Sequence, residues 1–92
     1  MKLKDFENVF RILKNRKRLE IIKLLSDNQP RLVGEISHKI KISLKGTSKH
    51  LILMAQVGLL DFKRTKKGVF YKLEQELPDY LRVFVKSIKQ IR

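Results

Sequence analysis

At 92 residues, 42% apolar and 34% charged, the chain is long enough for one compact domain, too short for two, and unlike a disordered or fibrous segment. Its formal net charge of +13 self-repels in so small a fold and points to a polyanionic partner: nucleic acid first, an anionic membrane surface second, an acidic protein third. The sequence has no cysteine, which excludes a disulfide framework and thiolate metal ligands, and its longest apolar run, residues 51–55, is far short of a membrane span.

The N-terminal stretch MKLKDFENVF interleaves charge with apolar side chains and lacks the apolar core of a secretion signal, so a cytoplasmic protein is expected. Over residues 2–14, Leu3, Phe6, Phe10 and Leu13 stand three and four apart, the spacing of one helical face. Asn15 reads as a break and a cap. Residues 16–27 follow with Leu19, Ile21, Ile22, Leu24 and Leu25, an apolar face wide enough for a central, largely buried helix. The cluster SDNQP, closing on Pro30, ends it.

Residues 31–33 suit a short strand, and Ile36 with Ile40 suits a short helix over about 34–40. Ser43 is a good N-cap for a helix reaching Val57, with Gly58 as the residue that ends it. From 60 to 73 the period changes to two on either side of TKKG, which predicts a β-hairpin with a basic tip. After Pro78, read as the first residue of a helix, Leu77, Leu81, Phe84, Ile88 and Ile91 restore the helical step. The expected class is mainly α with a small β-hairpin. Two short helices followed by a basic hairpin is the layout of a winged helix-turn-helix, in which the second helix of the pair enters the DNA major groove.

At this point the residues resemble a known family, the ArsR-type winged-helix regulators. NRKRLEIIKLL (15–25) is similar to that family's Asp-Pro-Thr-Arg-Leu-x-Ile-Leu stretch, through Arg18, Leu19 and Ile21. ISLKGTSKHL (42–51) resembles the start of its recognition helix, through Ile42, Ser43, Ser48, His50 and Leu51. VGLLDFKRTKKGVFYKL (57–73) resembles its Ala-Gly-Leu-Val, basic wing and Tyr-x-Leu ending. The resemblance implies a dimeric, duplex-DNA-binding transcriptional regulator, expected as a repressor, with the terminal helices 2–14 and 78–91 building the dimer. Three departures stand out. Leu32 and Gly34 occupy the positions of the family's metal-binding Cys-Val-Cys pair, the last helix carries Asp79 but no histidine, and Arg16 replaces a proline. No metal and no cofactor are therefore expected.

The candidate DNA-binding residues are Ser43, Lys45, Gly46, Thr47, Ser48, Lys49 and His50 on the recognition helix, Lys63, Arg64, Lys66 and Lys67 on the hairpin, and Arg16 and Lys17. Lys45 and Lys49 lie one turn apart, able to neutralise phosphate, and the neighbouring hydroxyls can reach phosphate or base edges. Arg, Asn and Gln are absent from the first turns, so direct readout is expected to be modest, or replaced by DNA shape. The bland alternative for this face is a solvated surface, and for the hairpin tip, charge that protects an edge strand. Gly46 lets backbone approach DNA. KGTSK is not a phosphate loop, because its residue order is wrong.

Arg16, Lys17 and Arg18 oppose the helix dipole, which asks for an anion: a phosphate, or for Arg18 an internal acidic partner. His50 reads as a packed or phosphate-contacting side chain, and His38 as surface. Ile52 belongs either to a deeply buried helix end or to a contact with a partner chain. The candidate dimer residues are Leu3, Phe6, Phe10, Leu13, Leu81, Phe84, Ile88 and Ile91. No paired carboxylate, triad or metal constellation stands out, so the chain is read as a non-enzyme. A winged-helix protein- or RNA-interaction module of a larger complex, anchored by Ile52 and Phe70, is the reading from another class.

Overall fold

Asn15 separates two helices because its side chain competes for the backbone: Oδ1 accepts the Arg18 N–H at 3.1 Å, starting a new helix one residue later. The computed structural model describes residues 2–92. In chain order it contains α1 (Leu3–Leu13), α2 (Arg16–Leu25), β1 (Arg31–Leu32), α3 (Val33–Ile40), α4 (Leu44–Gln56), β2 (Leu60–Thr65), β3 (Gly68–Leu73) and α5 (Asp79–Lys89). The three strands form one antiparallel sheet in the order β1-β3-β2.

The boundaries follow local chemistry. Ser26 stops α2 two residues before the expected end, its hydroxyl donating to the Lys23 carbonyl at 2.6 Å. The short strand stops at Leu32 because Val33 opens α3, and Glu35 reaches back to accept the Leu32 N–H at 2.9 Å. Pro78 is the N-cap of α5 rather than its first helical residue: with an extended ψ of 156°, it offers its carbonyl to Leu81 and Arg82. The hairpin closes through Lys66 and Lys67, with Thr65 opposite Gly68. The Thr65 hydroxyl donates to the Gly68 carbonyl at 2.9 Å and accepts the Lys67 N–H at 3.1 Å.

The core is built around α2, which packs against α1, α3, α5 and β3. Ile21, Ile22 and Leu25 of α2 are fully buried, with Ile36 of α3 and Leu51 and Met54 of α4. Burial of each such side chain contributes roughly 1.5–3 kcal/mol.

The terminal seams divide. Leu13, Leu81 and Ile88, expected at a dimer contact, are buried within this chain and belong to its own core. The three-and-four spacing marks one side of each helix, and that side is wide enough to run from core to surface. Val9, Ile12 and Leu13 form the inward face of α1. Phe6 and Phe10 meet Tyr80 in a ring cluster, with centroids 4.7 Å apart for Phe6–Phe10 and Phe6–Tyr80. Phe6 and Phe84 are half-buried, while Leu3, Phe10 and Ile91 are exposed.

The end of α4 depends on one glycine. Gly58 has φ +82°, donates to the Ala55 carbonyl at 3.1 Å, and lets Leu59 donate back to Met54 at 3.0 Å, closing the helix and releasing the chain into β2. A Cβ added at Gly58 meets no atom within 4 Å, so the positive φ is the whole constraint. Gly58→Ala is expected to lower stability by about 1–2 kcal/mol, read as a lower urea midpoint with an unchanged denaturant slope. Gly58→Asn should recover part of the loss.

Candidate nucleic-acid interface

The turn between α3 and α4 is built from backbone and hydroxyl contacts. Lys41 adopts a left-handed conformation at φ +60°, and its N–H donates to the Ser37 carbonyl at 2.9 Å. The Ser37 hydroxyl donates to the Ile42 carbonyl at 2.7 Å, holding the chain as it turns. Ser43 then caps α4, its Oγ accepting the Gly46 N–H at 3.0 Å. A Cβ at Gly46 would stand 3.1 Å from that same oxygen. The glycine therefore also leaves room for the serine cap.

This geometry sorts the candidate residues. Lys45 and Lys49 are exposed on α4, with Ser48 half-buried between them. Thr47, expected at the interface, is not there. It is fully buried, and its hydroxyl donates to the Ser43 carbonyl at 2.9 Å. With its one polar group satisfied inside the helix, Thr47 packs as a small core residue. On the hairpin, Lys63, Arg64, Lys66 and Lys67 are all exposed. The Arg64 guanidinium lies 5.7 Å from the centroid of the Phe62 ring.

The start of α2 resolves differently for each cation. Arg16 is exposed. Lys17 is committed inward: Nζ donates to the Ile40 carbonyl at 2.7 Å and pairs with Glu20 at 3.1 Å. It thus places a cation at the C-terminus of α3, where the helix dipole favours one, and is not a free phosphate contact. Arg18 is internal, and its hydrogen-bond partners are neutral rather than acidic. Nη1 donates to the Ile12 carbonyl at 3.2 Å and Nε donates to His50 Nδ1 at 3.0 Å.

That last bond ties the recognition helix to α2 and, through Ile12, to the end of α1. It also shows His50 as a packed side chain, its Nδ1 accepting from Arg18. Burial, and then the Arg18 charge, hold the His50 imidazole below its ordinary value of 6.5.

The charge is unevenly divided. Residues 36–73 carry nine Lys and Arg against a single acid, Asp61. The ion pairs among the described residues are Glu7–Arg11, Lys17–Glu20, Asp27–Arg31 and Asp79–Arg82, none of them on α4 or the hairpin. The body thus offsets some of its own charge and leaves that of the helix-turn-helix and wing open. Two apolar side chains on α4 are exposed: Leu44, which residue type alone did not single out, and Ile52, for which a partner contact was one of the two readings. Ile52 is no buried helix end. Stepping round the helix from buried Leu51 and Met54 would have placed it beside Lys45 and Lys49. His38 is exposed and Phe70 half-buried. Among the described residues, no three His, Asp or Glu side chains gather as a metal site.

The His50 environment has a measurable consequence. The unfolded chain takes up the histidine proton near pH 6.5, before the folded chain does. The stability contributed by keeping His50 neutral is therefore present above that pH and lost as pH falls through the lowered folded value. The urea midpoint should drop between about pH 7.5 and about pH 5.5. His50→Gln, which keeps an acceptor for Arg18, should flatten that drop.

Residues 15–61 match the family described as bacterial regulatory protein, arsR family. The arsenic resistance transcriptional regulator ArsR1 of Pseudomonas putida is 26% identical over 80 residues, spanning 87% of this chain and 62% of that protein. The transcriptional activator HlyU of Vibrio cholerae is 32% identical over 65 residues, spanning 71% of this chain and 59% of that protein. The chain thus spans about three fifths of the length of these two relatives. Among solved structures, a winged helix-turn-helix DNA-binding domain from Mycobacterium bovis is described as homodimeric and as a possible ArsR-family transcriptional regulator. It superposes with a TM-score of 0.79 at 26% identity, over 94% of this chain and 79% of that one. HlyU from Vibrio vulnificus superposes with a TM-score of 0.73 at 27% identity, over 96% and 95%. With helix, turn, capped helix and basic hairpin in this order, the fold is a winged helix-turn-helix, and the chain belongs to the arsR family of bacterial regulatory proteins, a family of regulators rather than enzymes.

Proposed function

We propose that this chain is a cytoplasmic, nucleoid-associated transcriptional regulator that binds duplex DNA as a homodimer. The observation that carries the reading is the concentration of unpaired cations on the outer face of α4 and the tip of the β2–β3 hairpin. In this reading α4 lies in the major groove, Lys45 and Lys49 neutralise phosphate or reach base edges, and Ser48 contributes a hydroxyl. Gly46, on the first turn, brings backbone close to the DNA. Lys63, Arg64, Lys66 and Lys67 extend over the minor groove or the flanking backbone, and Arg16 adds a further cation. The dimer forms through α1 and α5, where Leu3, Phe10, Val83 and Ile91 are exposed at 84%, 46%, 64% and 61% and Phe6 and Phe84 add half-buried surface. Two recognition helices related by a two-fold axis suit half-sites about 34 Å apart.

Two measurements test this reading. In a salt-titrated gel shift with a duplex selected from random DNA, binding should weaken steeply with salt. Lys49→Ala should lower affinity roughly tenfold, and each lost phosphate contact should reduce the logarithmic salt slope by about 0.9. Unchanged affinity in Lys45→Ala/Lys49→Ala, or a preference for RNA over duplex, would overturn the assignment. By light scattering the protein should have the mass of two chains, falling to one in Phe10→Glu with its helical circular dichroism retained. A wild-type chain that is monomeric at binding concentrations would refute the dimer.

A further inference from the structure

The outer face of α4 carries more than charge. Leu44, Ser48 and Ile52 follow one another at four-residue steps, with Lys45 and Lys49 beside them, while Thr47, Leu51 and Met54 hold the opposite side in the core. Leu44 is 59% exposed and Ile52 is 48% exposed. Both face water within a stretch, residues 36–73, that carries nine Lys and Arg against one acid.

Residues 36–60 contain no acid at all. A second copy of this face would therefore meet its own charge and be repelled. The occupant must present anionic groups and small apolar groups together, within the width of one helix. The DNA major groove does so: phosphates line it, acceptor atoms of guanine and adenine edge it, and the C5-methyl of thymine is its one apolar feature. The minor groove shows no methyl group.

From this we infer that Leu44 and Ile52 are specificity residues that read thymine methyl groups, so that the preferred operator carries thymines at two set steps in each half-site. The inference rests on the DNA-binding reading above. Eight residues of helix separate the two side chains, about 12 Å at 1.5 Å per residue. Against a rise of about 3.4 Å per base pair, this sets the two thymines at most about three or four base pairs apart. Lys45 and Lys49 supply affinity in this arrangement, and the two apolar side chains supply discrimination that lysine alone does not.

Replacing thymine by uracil tests the idea, because it removes the methyl group and leaves base pairing and every hydrogen-bonding edge in place. The full chain is used to select duplexes from a random pool. The selected site is then synthesised with single thymine-to-uracil replacements and its affinity measured at fixed salt. Wild-type protein should lose about fourfold per replaced methyl at the two steps, the worth of one buried methylene-sized group. Ile52→Ala should be insensitive to uracil at one step and Leu44→Ala at the other. Both variants remove exposed side chains and should keep the fold. Lys49→Ala should weaken binding to thymine and uracil duplexes alike.

Equal affinity for every thymine and uracil duplex, or wild-type sensitivity retained in both alanine variants, overturns the inference while leaving salt-dependent DNA binding intact. Failure to bind any duplex overturns the DNA-binding reading as well. The two failures are thus told apart by the unmodified duplex alone.

Discussion

The burial of one short helix sets the position of everything else. The ten residues of α2 put Ile21, Ile22 and Leu25 wholly out of water, and α1, α3, α5 and β3 each close one side of that apolar post. Removing any of these neighbours would expose its apolar surface, so the elements hold their places together. In a chain this small there is no second core to share the task. The recognition helix inherits its orientation from the same post. α3 packs on α2, α4 packs on α3, and the Arg18–His50 hydrogen bond pins α4 back to α2 directly.

Polar chemistry finishes what burial begins, and it does so mainly at backbone ends. Lys17 satisfies the last carbonyl of α3, Arg18 a carbonyl near the end of α1, and Ser37 the carbonyl of Ile42 in the turn. Each would otherwise be a partly buried acceptor competing for water. Two cations in the run Arg16-Lys17-Arg18, which sit awkwardly at a helix N-terminus by their charge alone, are thus placed by the carbonyls they cover. The surface ion pairs are a smaller matter, since exposed pairs contribute little. Their effect is one of distribution: the acids lie on the body, and the turn, recognition helix and wing keep their charge.

Much of this architecture is legible in residue order. Asn15, Ser43 and Gly58 announce helix boundaries because each supplies something the backbone needs there: an oxygen for an orphan N–H, or a left-handed conformation. The change of period at residue 60 announces the hairpin for the same kind of local reason. Burial of particular side chains was harder to read. Thr47 looks like an interface hydroxyl, yet the fold buries it, and of the two places open to Ile52 the fold takes the exposed one. Helical periodicity says which residues share a side, but the side that faces inward is chosen by α2 and α3. Leu13, Leu81 and Ile88 illustrate the same limit, since their spacing with exposed neighbours cannot separate a core contact from a partner contact. The partners of Lys17 and His50, a carbonyl and a guanidinium, lie 23 and 32 residues away in sequence, beyond the reach of local spacing.

The division of α4 into two faces has an evolutionary side. Thr47, His50, Leu51 and Met54 are the residues by which the body recognises its own helix. Leu44, Lys45, Lys49 and Ile52 are exposed and Ser48 is half-buried, so they can be exchanged as a set at less cost to the core. With α4 reading DNA as proposed, sequence drift on the outer arc retargets the protein to new sites without eroding the scaffold. Two descendants of such a gene could share nearly every core residue and answer to unrelated stretches of genome.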